Sequence, residues 1–143
     1  MLQKLKPFVL VLVGVLFLAV GQPVLAKVED DSSVVTPQAY DYMYDAACLY
    51  TLNGSSIGVS GTTKTYSTVD KITTTLYLEK KTSSGWSIVK QWTNSKSNST
   101  ICNTTGSYTG VPGTTYRVRG YHRVDKGNLI ETNSSYTYSF TID

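Results

Sequence analysis

PGTTYRVRGYHRVDKG, residues 112–127, decides how this chain is read. It holds Arg117, Arg119 and Arg123, one lysine, and the only histidine in the chain, His122. Two readings compete: a basic binding segment, or one β-strand with a wet face. Side chains alternate along a strand with a period of two. From Thr115 to Asp125 that period sets Tyr116, Val118, Gly120, His122 and Val124 on one side. Arg117, Arg119, Tyr121 and Arg123 fall on the other. Every arginine stands opposite the valines, as in a strand with one face in a core and one in water. His122 shares the apolar side, which predicts a hydrogen-bonded, partly buried histidine.

The same rhythm runs outward from this segment. In Lys71–Lys80, Ile72, Thr74, Leu76 and Leu78 share one face, and Thr73, Thr75, Tyr77 and Glu79 share the other. TSSG (82–85) reads as a hairpin loop, with Trp86–Thr93 returning from it. Trp86 and Trp92 share the parity of Ile88, which predicts both indoles in the core; the alternation of this strand is uneven, and the other reading sets one of the two on the outer patch. Further strand-length runs are Cys48–Leu52, Ile57–Ser60, Ser99–Thr105, Leu129–Asn133 and Tyr136–Ile142, punctuated by turn residues such as Asn53-Gly54. In the last run Tyr136, Tyr138, Phe140 and Ile142 share a face and are expected in the core. No window sustains a helical period. The pattern predicts an all-β chain, an antiparallel β-sandwich of the immunoglobulin and fibronectin type III kind with about seven strands, over residues 48–143.

Ahead of that domain, residues 1–26 have Lys4 and Lys6, then the apolar run Phe8–Val20, then Val24-Leu25-Ala26. This is the layout of a cleaved secretory signal peptide. The apolar run is short for a bilayer, which needs about 20 residues. A secreted, extracellular protein without stable membrane insertion is expected. Residues 27–47 read as a flexible leader, polar at first and then alternating Tyr40, Tyr42 and Tyr44 with Asp41, Met43 and Asp45. That alternation fits a strand with one aromatic face or an extended arm. The chain has thirteen Lys and Arg against ten Asp and Glu. Without Lys4 and Lys6 the balance is near neutral, which disfavours nucleic acid as a partner. Export permits a disulfide between Cys48 and Cys102. A bridge and two separate buried thiols both remain open, because sequence does not supply the Cα separation.

No catalytic set stands out. A nucleophile needs a base within hydrogen-bond reach, and no Ser, Thr or Cys sits in a nucleophile motif. The acids are scattered, so a hydrolase is disfavoured. Asp41 and Asp45 lack a third ligand at metal spacing, and no cofactor motif is present. Lys71 beside Asp70, with Asn133 late in the chain, raises a lysine–asparagine cross-link, which would require a buried lysine. The stronger candidate is a surface patch. On adjacent strands the outer parity gathers Tyr77, Glu79, Arg117, Arg119, Tyr121 and Arg123. Tyr and Arg anchor interfaces. The expected function is a non-enzymatic binding or structural module at a cell surface, with cell-wall glycan or a surface or secreted protein as partner. A secreted antimicrobial or inhibitory effector is the alternative.

Two resemblances bear on this. PGTTYRV (112–118) resembles the turn and sixth-strand start of a fibronectin type III domain. That resemblance implies a tyrosine corner at Tyr116, its hydroxyl bonded to upstream backbone. Gly110 departs from the family's usual leucine, and no tryptophan occupies the early strand. IGVSGTTKT, TVDKITTTLYLEKK, GWSIVKQWT, YRVRGYHRVDKG and ETNSS, in that order, resemble a family of short exported Gram-positive, chiefly clostridial, proteins known as a domain of unknown function. It implies secretion and a small β domain, and no activity.

Overall fold

Residues 39–143 are described by a computed structural model. The predicted signal peptide and residues 27–38 of the predicted leader lie outside the described residues. The elements are β1 (Met43–Asn53), β2 (Ser56–Thr82), β3 (Gly85–Thr109), β4 (Thr115–Lys126), β5 (Leu129–Tyr136) and β6 (Phe140–Thr141). All pairings are antiparallel, and no helix occurs among the described residues.

The architecture follows from one long hairpin. Thr82 and Gly85 close the predicted TSSG turn. From it β2 and β3 run together for 27 and 25 residues. Fully extended, such a strand would span about 90 Å at 3.3 Å per residue, so the ribbon has to bend. It does so where pairing jumps from Lys64↔Ile101 to Val69↔Ser99, leaving extra residues on β2. An insertion of this kind bends a strand and sharpens its twist without ending the ladder. Asn98 turns the same corner on β3 with φ of 48°, a left-handed conformation that asparagine tolerates. Before the corner β2 pairs with β1, and beyond it β2 pairs with β4, which carries β5 and β6. The sheet therefore curls back over itself, and the Thr63 and Thr74 hydroxyls, from the two halves of β2, meet at 2.6 Å.

Among the described residues six strands stand where about seven were expected. Ile57–Ser60 and Lys71–Lys80 belong to one strand, and so do Trp86–Thr93 and Ser99–Thr105. Gly61 was the expected break after Ser60, but the ladder passes through it and shifts register later, between Lys64 and Val69. The first strand also starts earlier than Cys48, at Met43. Met43 and Ala46 are buried, and Tyr40 and Tyr42 pack on the core, so this part of the span 27–47 is not leader. Glu131 of β5 fixes it: its carboxylate accepts the backbone N–H groups of Asp41, Tyr42 and Met43 at 2.6–3.3 Å.

β4 follows its predicted alternation. Tyr116, Val118, Gly120, His122 and Val124 are buried, and Arg117, Arg119, Tyr121 and Arg123 are half-buried on the opposite side. Tyr116 accepts a 3.0 Å hydrogen bond from the Val111 N–H. Between them Val111-Pro112-Gly113-Thr114 closes with a 3.1 Å bond, and Gly113 has φ of 77°, as the third residue of a type II turn requires. The last run departs from expectation. Thr137 bonds Val118 twice, by its N–H at 3.0 Å and its hydroxyl at 2.9 Å. That anchor resets the alternation, so Tyr136 and Tyr138 are exposed while Phe140 and Ile142 are buried.

Two apolar clusters fill the curl. One joins Cys48, Ile57, Val59, Leu76, Leu78, Tyr116, Val118, Phe140 and Ile142. The other joins Met43, Ala46, Val69, Ile72, Cys102 and Val124. Between them lies a neutral polar layer of Thr63, Thr74, His122 and Ser135.

Candidate functional site

The predicted patch lies on β2 and β4, and one carboxylate, Glu79, links two of its arginines, Arg117 and Arg119. Pairing places Glu79 beside Arg117 and Tyr77 beside Arg119. Glu79 accepts Arg117 Nε at 2.7 Å and Arg119 Nε at 2.8 Å. Its side chain is 6% exposed, against 26% and 23% for the two arginines. The guanidinium of Arg119 lies 4.1 Å over the Tyr77 ring. That of Arg117 lies 4.3 Å over Trp86 and 5.0 Å from the Tyr136 ring. Such cation–π contacts fix the guanidinium planes and contribute about 0.5–1 kcal/mol each when partly exposed. The result is a continuous stack, Tyr77–Arg119–Glu79–Arg117–Trp86, with Tyr136 beside it.

Expectation and structure differ at three places here. Glu79 has the predicted outward parity yet is buried, because two guanidinia cover it. Trp86 was expected in the core and is not there. β3 skips Val89 as pairing moves from Glu79↔Ile88 to Leu78↔Lys90. This bulge shifts alternation by one residue, so Trp86 meets Arg117 outside while Trp92 packs inward. Tyr136 joins the patch for the reason given above, its release from the core stripe. Arg123 and Tyr121 stand farther along β4. Arg123 donates to Asp125 through Nε at 3.0 Å and Nη2 at 2.7 Å. That bond holds the Asp125 carboxyl below its ordinary range and raises the guanidinium's own pKa.

The groups weighed for chemistry are dispersed or enclosed. His122 contacts Ser135 Oγ through Nε2 at 2.8 Å and Thr63 Oγ1 through Nδ1 at 2.7 Å. The first contact has the geometry of a serine–histidine pair, but His122, Ser135 and Thr63 have no accessible surface. Burial pushes the His122 pKa down to about 4, with the charge of Asp45 opposing. Gly120 is required at this point, since a Cβ there would collide with Ser135 and His122. Cys48 and Cys102 are both free and buried. They lie on β1 and β3 with β2 between them, opposite Gly61 and Thr63. Two strand spacings separate them by about 10 Å, beyond disulfide reach. Burial raises the Cys48 thiol pKa.

Lys71 is exposed and pairs across to Asp125, whereas Asn133 faces His122 on the far side of β4. The lysine–asparagine cross-link is therefore ruled out by register. Asp45 is paired with Lys64 at 2.8 Å. Among the described residues no group of three His, Cys, Asp or Glu side chains converges as metal ligands. No helix among them is long and apolar enough to cross a membrane. A cleft of about 290 Å³ on β3, lined by Trp92, Thr93, Asn94, Asn103, Thr104 and Thr105, holds no acid or histidine.

The chain matches no family model, no curated protein and no solved structure.

Proposed function

We propose that the protein is an exported, non-enzymatic binding module that engages its partner at the cell surface. The binding face is the outer surface of β2, β4 and β5 with Trp86 of β3. The observation that carries this reading is the stack Tyr77–Arg119–Glu79–Arg117–Trp86. A scaffold that needed only a wet face would be served by short polar residues. Here large planar side chains are held in fixed orientations by a buried acid, which lowers the entropy lost on binding. Arg, Tyr and Trp are also the residue types that dominate binding energy. The enclosed Ser135–His122 pair favours a structural role over hydrolysis, because a substrate has no route to it.

We read the curled sheet as a fibronectin-type-III-like sandwich. Splitting β2 and β3 at their common corner gives eight segments; the two-residue β6 pairs with β4 beyond β5, and the other seven form two layers. One is β1, the first half of β2 and the second half of β3. The other is the first half of β3, the second half of β2, β4 and β5. The Tyr116–Val111 hydrogen bond supports the same reading. The test is co-sedimentation of the purified protein with Gram-positive cell walls. Parent protein should pellet with the walls, and a Trp86→Ala/Arg119→Gln double variant with parent-like circular dichroism should stay in solution. Equal pelleting of both would overturn the assignment of this face.

A further inference from the structure

We infer that the ligand of this face is a linear acidic polysaccharide, an inference that rests on the binding reading above. Three features of the stack select that chemistry together. The first is charge. One carboxylate, Glu79, serves two guanidinia, so the trio keeps a net positive charge. Arg123 and Asp125 cancel, while the exposed Lys71 and Lys81 extend the same face of β2.

The second is donor geometry. Glu79 takes the Nε of each arginine. A guanidinium carries five N–H donors in a fixed fork, so the Nη groups of both remain to grip a carboxylate or another oxyanion. Arg117 and Arg119 are alternate residues of one strand, about 7 Å apart. They therefore meet an anion that recurs along a chain better than one isolated ion.

The third is the flanking rings. Trp86 reaches Arg117 from β3 and Tyr136 reaches it from β5. Aromatic side chains beside polar donors suit the apolar C–H face of a sugar ring. A polyanion without rings would leave them unused. Nucleic acid offers both charge and rings, but it calls for a strongly basic track. This face has one guanidinium in excess over its carboxylates, with two lysines at its margin.

The experiment is a calorimetric titration of the purified protein with four polymers: polygalacturonate, dextran, polyphosphate and poly(dT). Polygalacturonate should bind, weaken as salt rises, and outcompete the other three. Arg119→Gln and Trp86→Ala should each weaken it about tenfold, the equivalent of about 1.4 kcal/mol. If Arg119→Gln fails to fold, Tyr136→Ala takes its place beside Trp86→Ala. Equal binding of dextran, lost in the same variants, would overturn the acidic ligand and leave the binding face standing. Polyphosphate or poly(dT) binding as tightly as polygalacturonate would also overturn it. Polygalacturonate binding untouched by every variant would overturn both the ligand and the face.

Discussion

The two sides of β4 handle polarity in opposite ways. On the outer side Arg117 and Arg119 converge on Glu79, fully ionic and capped by aromatic rings. On the inner side His122 joins Thr63, Thr74 and Ser135 in a neutral chain without water access. Residues one position apart thus sit in different dielectric worlds. Ionic groups persist where water still reaches part of them. Along the inner side of β4 the polar groups are uncharged, and the one carboxylate buried on that side, Glu131 of β5, is satisfied by three backbone N–H groups, because a buried unpaired charge costs far more than a buried hydroxyl. The inner chain holds the fold, and the outer stack is the side for which we propose recognition.

The largest expected effect breaks the outer side. Glu79→Ala leaves two half-buried guanidinia without a counter-charge and should cost about 3–4 kcal/mol in urea unfolding, near the lower range for a broken buried ion pair. A loss under about 1 kcal/mol, typical of exposed pairs, would place this network among ordinary surface contacts.

The inner side is tested by pH. An unfolded histidine takes up its proton near pH 6.5, whereas folded His122 does so only near 4. Its contribution to stability is therefore complete above pH 6.5 and is lost progressively as pH falls towards 4. The loss should reach about 3 kcal/mol at about one pH unit per 1.4 kcal/mol. Asp70 and Asp125, whose pKa values lie below the ordinary 3.8, act in a lower window: they stabilise above that value and lose effect beneath it. A His122→Gln variant should have a flat profile between pH 6.5 and 4. The same slope in that variant would assign the acid sensitivity to another group.

A smaller effect concerns the entry to β1. Glu131→Ala removes the acceptor of three backbone N–H groups, and should cost about 2 kcal/mol, as for hydrogen bonds to a charged group. Hydrogen exchange should then rise first at residues 41–43. Unchanged protection there would mean the pairing of β1 with β2 holds the segment alone. The smallest is Arg123→Ala, whose exposed pair with Asp125 should contribute about 0.5 kcal/mol or less. Its near-silence beside Glu79→Ala would sharpen the contrast between a covered and an open charge pair.

Much of this contrast was legible in the sequence. The alternation in Tyr116–Val124 placed the valines inward and the arginines outward, and Lys71–Lys80 gave Tyr77 and Glu79 the matching parity. Parity reports direction and says nothing of depth. Glu79 points outward and is still buried, because its cover comes from Arg117 and Arg119, distant in sequence. Trp86 was misplaced for a different reason. The bulge at Val89 inserts one residue, and nothing in GWSIVKQWT marks where alternation slips. Tyr136 and Tyr138 escaped because Thr137 bonds Val118 and breaks the stripe. Gly61 reads as the end of the strand Ile57–Ser60, yet the ladder runs through it and bends later, between Lys64 and Val69, because a glycine fits a bent ladder as well as a turn.

The most direct measurement is an amide chemical-shift map of the protein titrated with polygalacturonate. Shifts should gather at Tyr77, Glu79, Trp86, Arg117, Arg119 and Tyr136, and leave the opposite sheet face at Ser60, Thr62 and Thr105 still. Perturbation centred on that opposite face, or none anywhere at saturating polymer, would contradict the proposed division of β4 into a holding side and a binding side.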